Sequence, residues 1–197
     1  MPRTKEAFEA MRETTRQKIE AAALALFAKN GISVTISEIS QAAGLSKGLL
    51  YSHYPSKEAL IASLVRQATA YAGGKLKDIA QSNNTAIDKI QMITCLMCEI
   101  LSTSRVGIDY FMFMQQVSMS GFPIQEAISY TESMPNPVEC LMQIILAGQS
   151  EHSVIDGDPI QLALTYWAAI QGMCCFAVTG VPLSPNPEIL SRILLKG

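Results

Sequence analysis

Residues 35–60 read TISEISQAAGLSKGLLYSHYPSKEAL, and the caps, turn and apolar spacing of this stretch decide the fold. Thr35 is placed to N-cap a helix with Glu38 three residues on, so each side chain satisfies an orphan N–H of the first turn. Ile36, Ile39, Ala42 and Ala43 make the expected buried stripe, and Gly44 supplies the left-handed residue at which the chain stops and turns. Ser46 caps the next helix. Its Leu50 and Tyr54 lie four apart on one face, while Lys47, Leu49, Ser52 and His53 lie elsewhere. Pro55 ends that helix, and Ser56, Lys57 and Glu58 open the following one. Two helices joined by a short Gly-containing turn form a helix-turn-helix, whose second helix is built to enter the major groove of DNA.

The pattern on either side is helical, and no segment alternates as a strand. Upstream, residues 14–29 form a first helix with Ile19, Ala22, Ala23, Leu26 and Phe27 inward, stopped by Asn30-Gly31. Residues 1–13 read as a helical extension or a loose basic arm. Downstream, a fourth helix carries Leu60, Leu64 and Ala68 inward until Gly73-Gly74 weakens it. Residues 87–102 and 108–119 are apolar nearly all round, which implies burial on every side. Two prolines break 133–137, helix resumes over 138–149, and Asp156-Gly157-Asp158-Pro159 turns into a long helix over 160–178. Pro182, Pro185 and Pro187 precede a short last helix over 188–195. The expectation is an all-α chain. Residues 1–60 form a three-helix DNA-binding head, a helix over about 57–72 links onward, and 61–197 form a helical body for ligand binding and dimerisation.

Composition narrows the function. The chain has 197 residues, is 49% hydrophobic and only 16% charged, so it must bury a large interior, a cavity or a subunit face. Through Arg66 nine basic residues face six acidic ones, and beyond it six face eleven, giving +3 and −5. A positive end beside a negative remainder suits a nucleic-acid reader on a body that leaves DNA alone. The five cysteines are Cys95, Cys98, Cys140, Cys174 and Cys175, an odd number that argues against a disulfide framework. They read as small buried apolar residues, with redox sensing by Cys95/Cys98 or Cys174/Cys175 as the alternative. No apolar signal-peptide core opens the chain, and its longest apolar run, 21–28, is too short for a bilayer. A cytoplasmic protein without membrane contact is expected. No nucleophile elbow, phosphate loop or metal-ligand set is visible. An enzyme, a metal and a cofactor are therefore not expected.

The motifs F-x-x-x-G (27–31), T-I-x-x-I (35–39), A-x-L-S-x-G (43–48), L-Y-x-H-Y (50–54) and S-K-E-x-L (56–60) together resemble the TetR/AcrR family of bacterial regulators. The resemblance covers about residues 14–62. It implies that Thr35, Tyr51, His53 and Lys57 contact phosphates, which set position and affinity, while base edges give sequence choice. Base reading is expected from Ser46, Lys47, Gly48, Leu49 and Ser52. Lys47 suits guanine O6 and N7, Leu49 a thymine methyl, and Gly48 permits close approach. Leu49 departs from the small or polar residue often found at its position in the family.

One head buries too little surface for tight specific binding, so a homodimer on a palindromic double-stranded operator is expected. The resemblance places its interface on the last two helices, with Ala163, Trp167, Ile170 and Cys174 on one and Ile189, Ile193 and Leu194 on the other. The alternative for this stripe is ordinary core. It also implies a small-molecule effector in the body. Met side chains adapt to irregular apolar shapes, so a small apolar or aromatic ligand is expected near Met92, Leu96, Glu99, Tyr110, Met114, Met142 and Gln171. The reading that results is a ligand-released repressor. Activation in place of repression is not separated from it by sequence.

Overall fold

The computed structural model describes residues 5–124, 136–179, 181 and 183–196. Among them the chain is helical, with no strand beyond an isolated bridge between Val154 and Leu195. Nine helices are described: α1 Lys5–Asn30, α2 Ile36–Ala42, α3 Lys47–His53, α4 Lys57–Gln81, α5 Ala86–Thr103, α6 Arg105–Met119, α7 Pro137–Ser150, α8 Pro159–Val178 and α9 Pro187–Ser191. The expected break at 133–137 lies partly, and Pro182 wholly, outside the described residues. Contacts divide the chain into two units, Met1–Gln67 with Met112–Tyr130, and Ala68–Phe111 with Thr131–Gly197.

Local signals in the first unit act as their chemistry requires. The capping box of α2 closes, with Thr35 N–H donating to Glu38 Oε2 at 2.7 Å and Glu38 N–H to Thr35 Oγ1 at 3.3 Å. Gly44 takes φ +67° at the turn, where a Cβ would strain the backbone. Ser46 caps α3 by accepting from Leu49 N–H at 3.2 Å. The buried stripe of α2 is narrower than its spacing suggests: Ile39 is buried and Ile36, Ala42 and Ala43 are not. The core of this unit includes Ile19, Phe27, Ile39, Leu50, Leu60 and Leu64, joined by Phe113 and Val117 from the second half of α6. Phe27 stacks on Phe113 with ring centroids 5.9 Å apart.

Three helices differ from their expected limits, and α9 is one of them: it ends at Ser191 and not at 195, so Ile193 and Leu194 lie beyond it. α1 starts at Lys5, so residues 5–13 are helical extension and every one of them is exposed. α4 runs through Gly73-Gly74 to Gln81. Two glycines cost a helix only about 2 kcal/mol, which the buried Leu64, Val65, Ala68 and Leu76 outweigh.

In the second unit α5 packs on α7, α8 and α9, and α7 packs on α8. Its core includes Ile90, Ile93, Thr94, Leu141, Ile145, Tyr166 and Ile170. The polar pair within that core is satisfied internally, Thr94 Oγ1 and Tyr166 Oη lying 2.9 Å apart. The Asp158-Pro159 start of α8 forms as expected, with Asp158 Oδ1 accepting from Ile160 N–H at 3.0 Å. α5 is not enclosed on all sides, because Met92, Cys95 and Glu99 form an exposed line along it. α7 comes so close to its neighbours that a Cβ at Gly148 would sit 2.3 Å from Val154 Cγ2 and 3.0 Å from Ala86 Cβ. Val154 cannot yield easily, since its N–H and that of Ser153 both bond to Gly148 O and its β-branch is stiff. Gly148→Ala is therefore expected to lose about 1–3 kcal/mol in urea unfolding, although alanine favours the helix by about 1 kcal/mol. A gain in stability would show that Val154 moves aside.

Candidate nucleic-acid interface

The second helix of the helix-turn-helix is fixed from one side only. Leu50 is fully buried and Tyr54, its C-cap, is 7% exposed. Turned away from them, Ser46, Lys47, Gly48, Leu49, Tyr51 and Ser52 are all exposed. Leu49 and Tyr51 keep 41% and 49% of their surface open. Gly48 faces open space, and a Cβ placed there would meet nothing within 4 Å. Ser52 Oγ donates to Leu49 O at 2.6 Å, and Ser46 Oγ is held by Leu49 N–H. Lys47, the first residue of α3, brings a cation to this exposed set.

The four expected phosphate ligands differ in what they have to offer. Tyr51 is exposed and His53 half-buried at the end of α3. Thr35 is exposed, but its hydroxyl donates to Glu38 Oε2 at 2.7 Å. The Thr35 hydroxyl, followed by its N–H, holds the Glu38 carboxyl below the usual carboxylate range. While the capping box is closed, Thr35 gives a phosphate no hydroxyl hydrogen. Lys57 is half-buried, and its Nζ donates to Ile32 O at 2.9 Å and Val34 O at 3.4 Å. An ammonium has three donors. Two of them pin the α1–α2 connection, which leaves one for a further acceptor.

Glu20 escapes a reading of the sequence. It is 7% exposed and accepts hydrogen bonds from Tyr54 Oη, Ser63 Oγ at 3.2 Å, Gln67 Nε2 at 2.6 Å and Arg16 Nη1 at 3.3 Å. Burial first, and then the Glu20 carboxylate, push the Tyr54 phenol up to about 12, so it stays a donor. The available signal was helical spacing: Glu20 precedes Ala23, Leu24 and Phe27 on the buried face of α1.

The expected ligand residues are not gathered around one described cavity. Met92 is exposed and its Sδ accepts from Asn84 Nδ2 at 3.3 Å. Glu99 is exposed and Leu96 buried, while Tyr110, Met142 and Gln171 are half-buried. Tyr110 lies against Tyr71, ring centroids 5.4 Å apart. Met114 belongs to the first unit and the other six to the second. A half-open cleft of about 460 Å³ is lined instead by residues including Lys77, Gln81, Lys89, Cys140, Ile144 and Glu151. Lys89 Nζ donates there to Ala80 O at 2.9 Å, which caps the end of α4.

Of the expected dimer residues, Ala163, Ile170, Cys174 and Leu194 are at most 1% exposed within the single chain. Their side chains are spent on the chain's own core. Trp167 is half-buried, with Nε1 donating to Pro137 O at 3.2 Å, and Ile193 is half-buried as well. Ile189 is 65% exposed. Away from this buried stripe α8 exposes Ile160 (44%), Leu164 (45%) and Phe176 (58%). By length and composition α8 is apolar enough to cross a membrane, and few of its residues are buried in the chain.

The cysteines are free. Burial pushes the Cys98 thiol up, and the Cys174 thiol up to about 12. Each candidate redox pair thus contains one thiol held protonated, the opposite of an activated cysteine.

Known proteins share both the motif and the architecture. Residues 19–64 match the sequence profile of bacterial regulatory proteins, tetR family. The uncharacterized HTH-type transcriptional regulator YerO of Bacillus subtilis is 37% identical over 67 residues, which is 34% of this chain and 23% of that protein. The chain thus spans under a quarter of that relative's length. The HTH-type transcriptional repressor KstR2 of Rhodococcus jostii is 24% identical over 156 residues, 76% of this chain and 74% of the relative. Among solved structures, the MbdR regulator from Azoarcus sp. CIB superimposes with a TM-score of 0.75 at 24% identity, over 93% of this chain and 98% of that one.

Proposed function

We propose, from the premise that this chain is a member of the tetR family of bacterial regulatory proteins, that it is a repressor which a small ligand releases from a palindromic operator. The observation that carries the DNA-reading part is the exposed face of α3. There a cation, a glycine in open space and an uncovered leucine stand on a helix whose other side is locked in the core. Lys47 and Leu49 read base edges, and Ser46 and Ser52 stand beside them. Tyr51, His53 and the third donor of Lys57 hold the phosphates, and Thr35 joins them only where its capping box opens.

Tight binding to a two-fold site requires two such heads. We take the exposed face of α8, with Ile160, Leu164 and Phe176, together with Ile189, as the surface that receives a second copy. Large apolar side chains left open on one helix mark an interaction surface. The effector is read as small and apolar or aromatic, supported by the methionine and aromatic content of α5 and α6. It releases DNA only by favouring a disposition of the heads that the operator does not accept.

The test is selection of bound fragments from genomic DNA, followed by affinity measurements at fixed salt on the enriched sequence. An inverted repeat with half-sites a whole number of turns apart is the expected result. Failure to enrich any sequence would remove the proposal. Gly48→Ala probes the reading helix itself. Its Cβ meets nothing within the chain, so the fold should gain about 0.5–1 kcal/mol. Affinity for the operator should nevertheless fall about tenfold, because the methyl group occupies the space of close approach. An unchanged affinity would assign Gly48 no part in contact.

A further inference from the structure

Four donors reach one carboxylate oxygen inside the head. Glu20 Oε1, on α1, takes the hydroxyl of Tyr54, Ser63 Oγ and Gln67 Nε2, with Arg16 at its outer side. Ser63 and Gln67 stand four residues apart on α4. Tyr54 is the residue at which the chain leaves α3, its N–H bonded to Leu50 O at 3.0 Å. The preceding turn carries Tyr51, Ser52 and His53. Burying a carboxylate is costly, and apolar residues of equal volume would hold three helices together without that cost. What a hydrogen-bonded hub adds is geometry. Apolar surfaces slide over one another, whereas hydrogen bonds weaken steeply once distance and angle drift.

We propose that Glu20 is a positioning residue that sets the rotation and height of the recognition helix against α1 and α4, and so determines which bases Lys47, Gly48 and Leu49 meet. This rests on the DNA-reading function proposed above. Glu20 itself touches no DNA. Because two of its donors are on α4, a slide of α4 by one residue's rise, about 1.5 Å, either breaks those bonds or draws the carboxylate away from Tyr54. The hub thereby converts a displacement of α4 into a change at the end of α3.

Tyr54→Phe removes one hydroxyl and keeps the ring, and Glu20→Gln keeps the shape of the side chain. Each is compared with the unaltered chain on the selected operator and on a random-sequence duplex, with melting followed by circular dichroism. The expected result is a fall of about tenfold in operator affinity for each. Random-duplex affinity and its salt slope should stay unchanged, since a rotated helix still meets a phosphate backbone. The double variant should be no worse than either single one. A lowered melting temperature with the ratio of operator to random affinity retained would overturn the proposal, leaving Glu20 a support of the fold alone. Should Glu20→Gln not fold, Tyr54→Phe decides by the same ratio. An unaltered chain that binds no DNA is recognised before any variant is made, and overturns both this proposal and the function it rests on.

Discussion

A chain carrying Leu164→Glu together with Phe176→Glu is expected to sediment as a monomer and to lose at least about a hundredfold in operator affinity. Both side chains are about half exposed on the outer face of α8, 45% and 58%, so neither substitution opens a cavity in the single chain. In a two-fold interface each change occurs twice, placing four new carboxylates where the apolar faces meet. Burying such charges without partners costs several kcal/mol per ion. A monomer keeps every contact of one half-site but loses the linkage that makes the second contact intramolecular. The variant's melting curve should stay close to that of the parent. A dimer that persists with parental affinity would place the interface elsewhere. Flotation of the parent chain with lipid vesicles would give the apolar face of α8 to a membrane.

Phe27→Ala should cost about 3–5 kcal/mol in unfolding free energy, the largest single-residue effect expected on stability. The ring is fully buried and stacked on Phe113, so truncation loses its transfer free energy and leaves a cavity that rigid helices fill poorly. For a chain of this length that corresponds to roughly 10 °C in melting temperature. Phe113→Ala should be similarly harmful, and the double variant less harmful than the sum by about 0.5–1.5 kcal/mol. A loss below about 1 kcal/mol for Phe27→Ala would mean that the two rings do not share one core. The pair also bears on where the head ends. Met112–Tyr130 belongs to the same unit as Met1–Gln67, so a fragment stopped at residue 60 would lack both Phe113 and most of α4.

The fold was legible where its chemistry is local. The Thr35–Glu38 box, the Gly44 turn, the Ser46 cap and the Asp158-Pro159 start each depend on residues within four positions of one another. Backbone sterics and orphan N–H groups enforce them whatever surrounds the helix. Less was legible of the site's supports. Lys57 reads as a phosphate ligand from its place at a helix start, yet two of its donors go to carbonyls 23 and 25 residues away. Helical spacing puts Glu20 on the buried face of α1, but three of its four partners lie 34, 43 and 47 residues off. No window of neighbouring residues contains that information.

The sequence by itself determined that the chain is helical, where its helix-turn-helix lies, and which family that segment resembles. Caps, turns and apolar periods are short-range and carry their own physical cause. Only the tertiary structure decided which side of an apolar helix is core and which is left open. On α8 nearly every residue is apolar, so hydrophobic period cannot choose a face. The choice went to Ala163, Tyr166, Ile170 and Cys174, the side that packs within the chain. That left Ile160, Leu164 and Phe176 outward. Packing and long-range hydrogen bonding settle such choices because they depend on the shape and donors of partners that the chain brings together only when it folds.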